Sequence, residues 1–562
     1  MLWSAWADAL GFISELTDQR GLRQRLGGEP MRAPVTWTRR VGGRFGVQAK
    51  LPAGSYSDDT QLRLSTCRAI SEHGFDVDAF ARVELAVWPA YALGGGRATK
   101  TAAANLAKSG TSWFANFYPG WVEAGGNGGA MRVQPHVWAA PRPATLGPHI
   151  TDVIVNVVST HGHPRALVGA VLHAVALGTA LESGNTPGTG QWQTLLEMTE
   201  QAVNLIDEHP QLSSLWRPSW EQAVGYGFNT AWHEIVDECR EMLPAAIAVV
   251  RALQHAEKEQ DASARNEAYS SFVSSLSLAD PSVRGSGTAT VIASLALAAA
   301  YPVDPARCSL VAAEAVGTDT DTIATMAAAL VGAVTDVPDP TPLQDSQYLV
   351  TEARRLTGLA FGEPGASLNY PDPINWVPPS KQLDAVGMVD GEPALAGLGW
   401  LQALANSDRL SAGSAVWQWM RSDFGPTFLL KQRPVLRLLP DSARPMRRGK
   451  RSHRELNLLP EVEQVSQARE HRLAGTERTA SSRSPRLPVI PEPNEPPIGE
   501  RRPRTVDVDQ MLAWVAHKGY SDEAIGYAVR RILELGSLEQ LIAFATSLRA
   551  SARRSRRPKP KI

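Results

Sequence analysis

Two short runs place hydroxyls and carboxylates directly ahead of apolar, helix-forming sequence. Ser57, Asp58, Asp59 and Thr60 follow Gly54 and precede "QLRLSTCRAI"; Asp319, Thr320, Asp321 and Thr322 follow Gly317 and precede "IATMAAALVGAV". Taken singly, each run can be read as an N-cap, since Ser, Thr and Asp oxygens accept from free helix amides and the helix dipole favours acids there. That reading accounts for one acid per helix. It leaves the second unexplained, because adjacent like charges cost energy. Brought together, the runs offer four carboxylates and several hydroxyls, enough oxygens for two divalent cations about 3.5–4 Å apart. Neither run contains Cys or His, so the expected ion is Mg2+, with Mn2+ able to substitute, rather than Zn2+.

The elements that must position these runs are mainly helices. From Met1 to about Asp339 the chain is rich in Ala, Leu and Val at helical spacing, as in "DTQLRLSTCRAISEHG" and "HPRALVGAVLHAVALGTAL", with glycine-containing breaks. Clear alternating strand patterns are scarce. The stretch 340–431 contains "PALAGLGWLQALANSDRLSAGSAVWQWMRSDFG", which reads as two short helices packed on tryptophans. Residues 432–505 turn to Arg, Pro, Ser and Glu, a composition expected of a disordered linker. Residues 506–550 regain helical period and are expected to form a three-helix module. Residues 551–562 form a basic tail with Arg553, Arg554, Arg556, Arg557, Lys559 and Lys561.

Composition narrows the class. The chain has 562 residues, a formal net charge of -1 and three cysteines with no CxxC pair. That excludes a disulfide scaffold or a zinc ribbon, and implies a reducing, cytoplasmic setting. The apolar stretch "TATVIASLALAAAYPV" is too short to span a bilayer, and the first residues lack the basic region of a signal peptide. Asn127, Gly128 and Gly129 can be a tight turn, His161 and His163 loop residues ahead of a helix begun by Pro164, and Trp113, Trp121 and Trp138 core aromatics or a base-stacking platform. Asp8 suits a structural role, bonding backbone near the acidic runs.

Five segments in order, "ADALGFISE", "GSYSDDTQ", "GNGGAMR", "THGHPRA" and "GTDTDTIATMAAALVGA", resemble the ADP-ribosylglycohydrolase family. The resemblance covers roughly residues 1–337 and implies a compact all-α, multi-helix domain, here 1–339. It implies that Ser57, Asp58, Asp59, Asp319, Asp321 and Thr322 bind two magnesium ions. Glu15, in a mobile segment, and Asp59 become the candidate catalytic carboxylates. Gly95, Gly96, Asn127, Gly128, Gly129, Arg132, His161 and Gly317 become substrate-binding positions, several of them through backbone. Ala7 stands where the family usually has glycine, and Ser57 where several members have threonine; neither change removes a ligand.

The implied activity is Mg2+-dependent removal of ADP-ribose from a protein, nucleic acid or small molecule by cleavage of the C1″ N- or O-glycosidic bond. Two other classes remain open. One is a non-catalytic ADP-ribose-binding module, disfavoured by retention of Glu15 and all four acids; the other is a Mg2+-dependent phosphoesterase. The basic tail is a candidate nucleic-acid contact, or simply a solvated terminus.

Overall fold

The computed structural model describes residues 1–446, except 109, 373, 374 and 406, and most of 508–548. The chain is mostly helical. Residues 1–446 belong to one compact unit and 508–548 to another.

The centre of the larger unit is built from helices whose sequences leave no polar face. The opening helix, Leu2–Ser14, is buried from Ser4 onward and packs on Thr320–Val331 and Pro305–Glu314. It approaches the Thr320 helix so closely that a Cβ at Gly11 would lie 2.5 Å from Asp321 Cα, and Thr320 Oγ1 donates to Gly11 O at 2.8 Å. This crossing brings the end of the first helix beside the start of the second. Helix Gly287–Ala300 is buried along its whole length against Pro164–Ser183 and the long helix Phe228–Lys258. Pro164–Ser183 is long and apolar enough to cross a membrane, but 78% of it is buried inside this unit, as a core helix would be.

Strands appear in places where the sequence-based expectation has none. A hairpin, Trp37–Val41 paired antiparallel with Val47–Leu51, stands between the first two sequence motifs. Its second strand alternates buried and exposed, but over only five residues. Secondly, the expected helical extension at 340–431 is largely a sheet. Only Ser346–Ala360 is a long helix there. Six antiparallel strands follow, in the order Thr427–Gln432, Ala415–Ser422, Gly399–Ala403, Glu392–Leu395, Val386–Val389, with Leu410–Ala412 also paired to Ala415–Ser422. The first hairpin turns at Asp390 and Gly391, both at positive φ, the Asp-Gly turn that matches strand twist. "WQWMR" carries its tryptophans at period two, so Trp417 is buried in the sheet rather than on a helix stripe.

The expected boundary at 339 does not interrupt packing. Leu349 and Leu356 share a core with Ala5, Ala9, Leu64 and Cys67, and Arg355 donates to the carbonyls of Cys67 and Ile70 at 2.6 and 2.7 Å. Further along, Tyr370 donates to Glu84, which is already held by buried Arg68 at 2.7 Å. The expected linker also begins later than 432: Leu439 and Ala443 are buried, and Met388 exchanges backbone bonds with Arg437 and Leu439. In the smaller unit, Val508–His517, Asp522–Leu535 and helical residues 540–545 enclose Val515, Ala528, Ile532 and Phe544. The rest of the expected linker and the basic tail lie outside the described residues.

Candidate active site

Each acidic run starts a helix, but the two starts are built differently. Ser57 is the N-cap of Asp58–Arg68; its hydroxyl accepts from the Asp59 amide at 3.2 Å. Buried Asp8 supports this start from behind, accepting from the Ser57 and Thr60 amides at 2.9 Å each and from the Thr60 hydroxyl at 2.6 Å. One hydroxyl and one structural acid thus satisfy the helix amides, and Asp58 and Asp59 are left over. Asp319 holds the N-cap position of Thr320–Val331, yet its side chain makes no capping bond. It accepts from Asn127 Nδ2 at 2.9 Å instead. Capping alone therefore does not account for these acids.

The two runs meet. Thr322 Oγ1 donates to Asp59 Oδ2 at 3.3 Å, across 263 positions of sequence. Asp58, Asp59, Asp319, Asp321 and Thr322 line a single cavity of about 590 Å3 together with Glu15, Gly95, Gly96, Asn127, Gly128 and His161. That volume lies within the range of small-molecule sites. Burial first, then the charges of Glu15 and Asp8, push Asp58 up to about 7, and burial followed by Glu15, Asp59 and Asp319 raises Asp321 well above the ordinary carboxylate range. Asp59 is driven up by burial and by Asp8, Asp58 and Asp319.

The donor set is all oxygen. Asp59 Oδ1 is buried and has no hydrogen-bond partner among the described residues. Both facts fit a hard divalent cation. Among the described residues, no three His, Cys, Asp or Glu side chains close around a common point. The acids therefore converge on the cavity without forming a finished cage.

Beside Asp319, residues 125–128 are strapped to the start of the Gly287 helix: Asn127 N donates to Gly285 O at 2.9 Å and Gly287 N to Gly125 O at 3.0 Å. His161 is buried and its imidazole is pushed down to about 3, by burial and by Arg132, so it is neutral near pH 7. Its Nδ1 lies 2.7 Å from the Thr160 hydroxyl, which also accepts from Arg132.

Four expected site residues do not line the cavity. Ser57 is fully buried in its capping role. Gly129 is packed against Val157, and Gly317 supplies a turn at φ +102°. Arg132 is fully buried, its guanidinium spent on Asn156, Gly128 O and Thr160. It shapes the Gly128 and His161 loops from behind. None of Trp113, Trp121 and Trp138 lines the cavity either.

Sequence reasoning missed Gly94, Glu123, Arg165 and Arg284. A Cβ at Gly94 would fall 2.1 Å from Asp58 Oδ1, so this glycine lets the backbone reach the carboxylate. Arg165 is engaged by Glu238 at 2.6 Å. Arg284, half-buried, faces the acids closely enough to oppose the rise of Asp319. Its signal was present in "VRGSGTATVIASL", another polar cluster ahead of an apolar helix.

Among curated proteins none matches the chain. Among solved structures it is similar to one described as an "ADP-ribosylglycohydrolase-related protein complex", at 20% identity over 64% of this chain and 95% of that one, with a TM-score of 0.38, too loose a likeness to argue from. A model of the ADP-ribosylglycohydrolase family matches residues 1–358, which include the opening helix, both acidic runs and every other residue lining this cavity. A glycohydrolase-type hydrolase function is what that match supports, and the chain belongs to the ADP-ribosylglycohydrolase family.

Proposed function

We propose that this chain is a Mg2+-dependent hydrolase that releases ADP-ribose from an ADP-ribosylated protein, nucleic acid or small molecule by cleaving the C1″ glycosidic bond. The observation that carries the reading is the meeting of the two acidic runs in one cavity through Thr322 and Asp59. Asp58, Asp59, Asp319, Asp321 and Thr322 would hold the cations, with Ser57 fixing the Asp59 backbone behind them. Bound Mg2+ would supply Lewis acidity at the ribose diol and offset the repulsion among the acids.

The remaining groups bind and orient. The backbone of Gly95, Gly96 and Gly128 lets a sugar and diphosphate approach without side-chain obstruction. Arg284 is placed to receive diphosphate oxygens, a charge-assisted contact. Neutral His161 lines the cavity with its Nδ1 engaged by Thr160, and would offer Nε2 to the substrate. Water adds to C1″ as the bond to the leaving group breaks, through an oxocarbenium-like transition state. Glu15 is the carboxylate suited to accept the proton of that water, and the leaving atom takes up a proton from solvent or Glu15.

The test is release of free ADP-ribose from a panel of defined conjugates, with and without EDTA. Turnover should require the divalent cation and be abolished in Asp321→Ala. Undiminished release by that variant, or release of phosphate or a nucleotide in place of ADP-ribose, would overturn the reading.

A further inference from the structure

The opening helix ends at Ser14, and Glu15 is extended at φ -62°, ψ 138°, followed by Leu16 at positive φ. No helical geometry therefore aims the Glu15 side chain. Two arginines do. Arg25 Nη1 donates to Ile13 O at 2.6 Å and Glu15 O at 2.9 Å, fixing the backbone. Arg39 Nη1 and Nη2 both donate to Glu15 Oε2 at 2.9 Å, leaving Oε1 for the cavity that Glu15 lines. The Arg39 guanidinium is itself seated 4.2 Å from the Phe12 ring centroid.

Arg39 comes from the Trp37–Leu51 hairpin, and a two-stranded hairpin is marginal by itself. Trp37, Val41, Val47, Ala49 and Leu51 are buried in one cluster with Phe12, Trp417 and Leu429. A Cβ at Gly42, in the hairpin turn, would lie 2.4 Å from Trp417 Cζ2, and Trp419 Nε1 donates to Lys50 O at 3.2 Å. Trp417, Trp419 and Leu429 belong to the sheet at 386–432, beyond the 1–358 covered by the family model.

We infer that this sheet is part of the reaction machinery. Arg39 is a positioning residue that holds the Glu15 carboxylate at the cavity, and the sheet holds Arg39 by clamping its hairpin. The inference rests on the reading of Glu15 as the proton-handling group. Its reach is physical: Phe12, Leu22 and Leu93 of the family domain share a core with the hairpin, and the added sheet extends that core with Trp417 and Leu429 and adds the Trp419 bond to Lys50.

The experiment compares full-length wild type, Arg39→Gln, Arg39→Lys, Trp419→Phe and Trp417→Ala by steady-state kinetics and by hydrogen exchange at residues 10–18 and 37–51. Arg39→Gln should lower kcat by roughly 10²-fold with little change in KM, as a misplaced catalytic group does. Arg39→Lys should recover part of that loss, since ammonium keeps the charge but not the fork. Trp417→Ala should raise exchange in the hairpin and, with it, at residues 13–17, and lower kcat as Arg39→Gln does. Trp419→Phe, which removes one donor, should do both to a smaller degree. A kcat within twofold of wild type in Arg39→Gln overturns the positioning role. Unchanged exchange at 13–17 in Trp417→Ala overturns the clamp. Should wild type release no ADP-ribose from any conjugate, the functional reading fails by itself, and the exchange measurements still decide whether the sheet holds Glu15.

Discussion

Replacing Asp58 by Asn should stabilise the protein when divalent cations are absent. In the fold the Asp58 carboxyl is pushed up to about 7 from an ordinary 3.8, burial being the largest cause and Glu15 and Asp8 the next. One pH unit corresponds to about 1.4 kcal/mol, so keeping this group ionised in the folded protein costs about 4 kcal/mol at about pH 8. Asn removes that cost and loses a favourable interaction of the acid with the helix N-terminus, about 0.3–1 kcal/mol. The expected net gain is about 3 kcal/mol. The sign follows from proton binding. Between 3.8 and about 7 the folded state holds a proton that the unfolded state has released, so wild type recovers stability as pH falls through that window. The advantage of the variant should shrink to less than about 1 kcal/mol by about pH 5 and vanish below about pH 4. Excess Mg2+ should reverse the order, because an ion present at about 1,000 times its Kd adds about 4.1 kcal/mol to the state that binds it. Denaturant unfolding in EDTA and in Mg2+, at about pH 8 and pH 5, measures all of this. An Asp58→Asn protein less stable than wild type in EDTA at about pH 8 would refute the reasoning.

Three further outcomes follow from other parts of the structure. Gly11→Ala should cost about 1–3 kcal/mol in unfolding experiments and lower turnover, since the added methyl meets Asp321 backbone at 2.5 Å. Arg284→Ala should raise KM roughly tenfold or more with a smaller change in kcat, the loss expected for one charge-assisted contact; an unchanged KM removes Arg284 from the diphosphate site. Below about pH 6.5 the buried histidines should oppose the gain from the acids, because His136, His161 and His173 are pushed down to about 3 by burial and the unfolded chain takes up protons that the fold refuses. Each contributes up to about 1.4 kcal/mol per pH unit between about 6.5 and 3, visible as a gain in the stability of His173→Gln relative to wild type as pH falls through that window. It cancels in the Asp58 comparison, where both proteins carry the same histidines.

Much of the site was legible because its signals are local. A hydroxyl and two acids ahead of an apolar run announce a helix start with more charge than a cap requires, and an oxygen-only donor set is of the kind a hard cation would need. The order of the motifs was enough to reveal the family resemblance. The sheet was harder to see, because a five-residue strand offers two or three alternations. In "VWQWMR" a period of two is easily mistaken for one side of a helix when Ala and Leu surround it. The Asp390-Gly391 turn is the local signal that the sheet leaves in the sequence.

Sequence by itself determined which residues begin helices, which faces are apolar and which oxygens could serve a cation. Tertiary structure alone decided that Asp319 is turned to Asn127 rather than to its own helix, that Thr322 reaches Asp59, and that Arg39 holds Glu15. The reason is range. Hydrophobic period specifies a face relative to a residue's near neighbours, whereas these contacts join segments 24 to 263 positions apart, and only the packing of whole helices and a sheet brings them within hydrogen-bond distance.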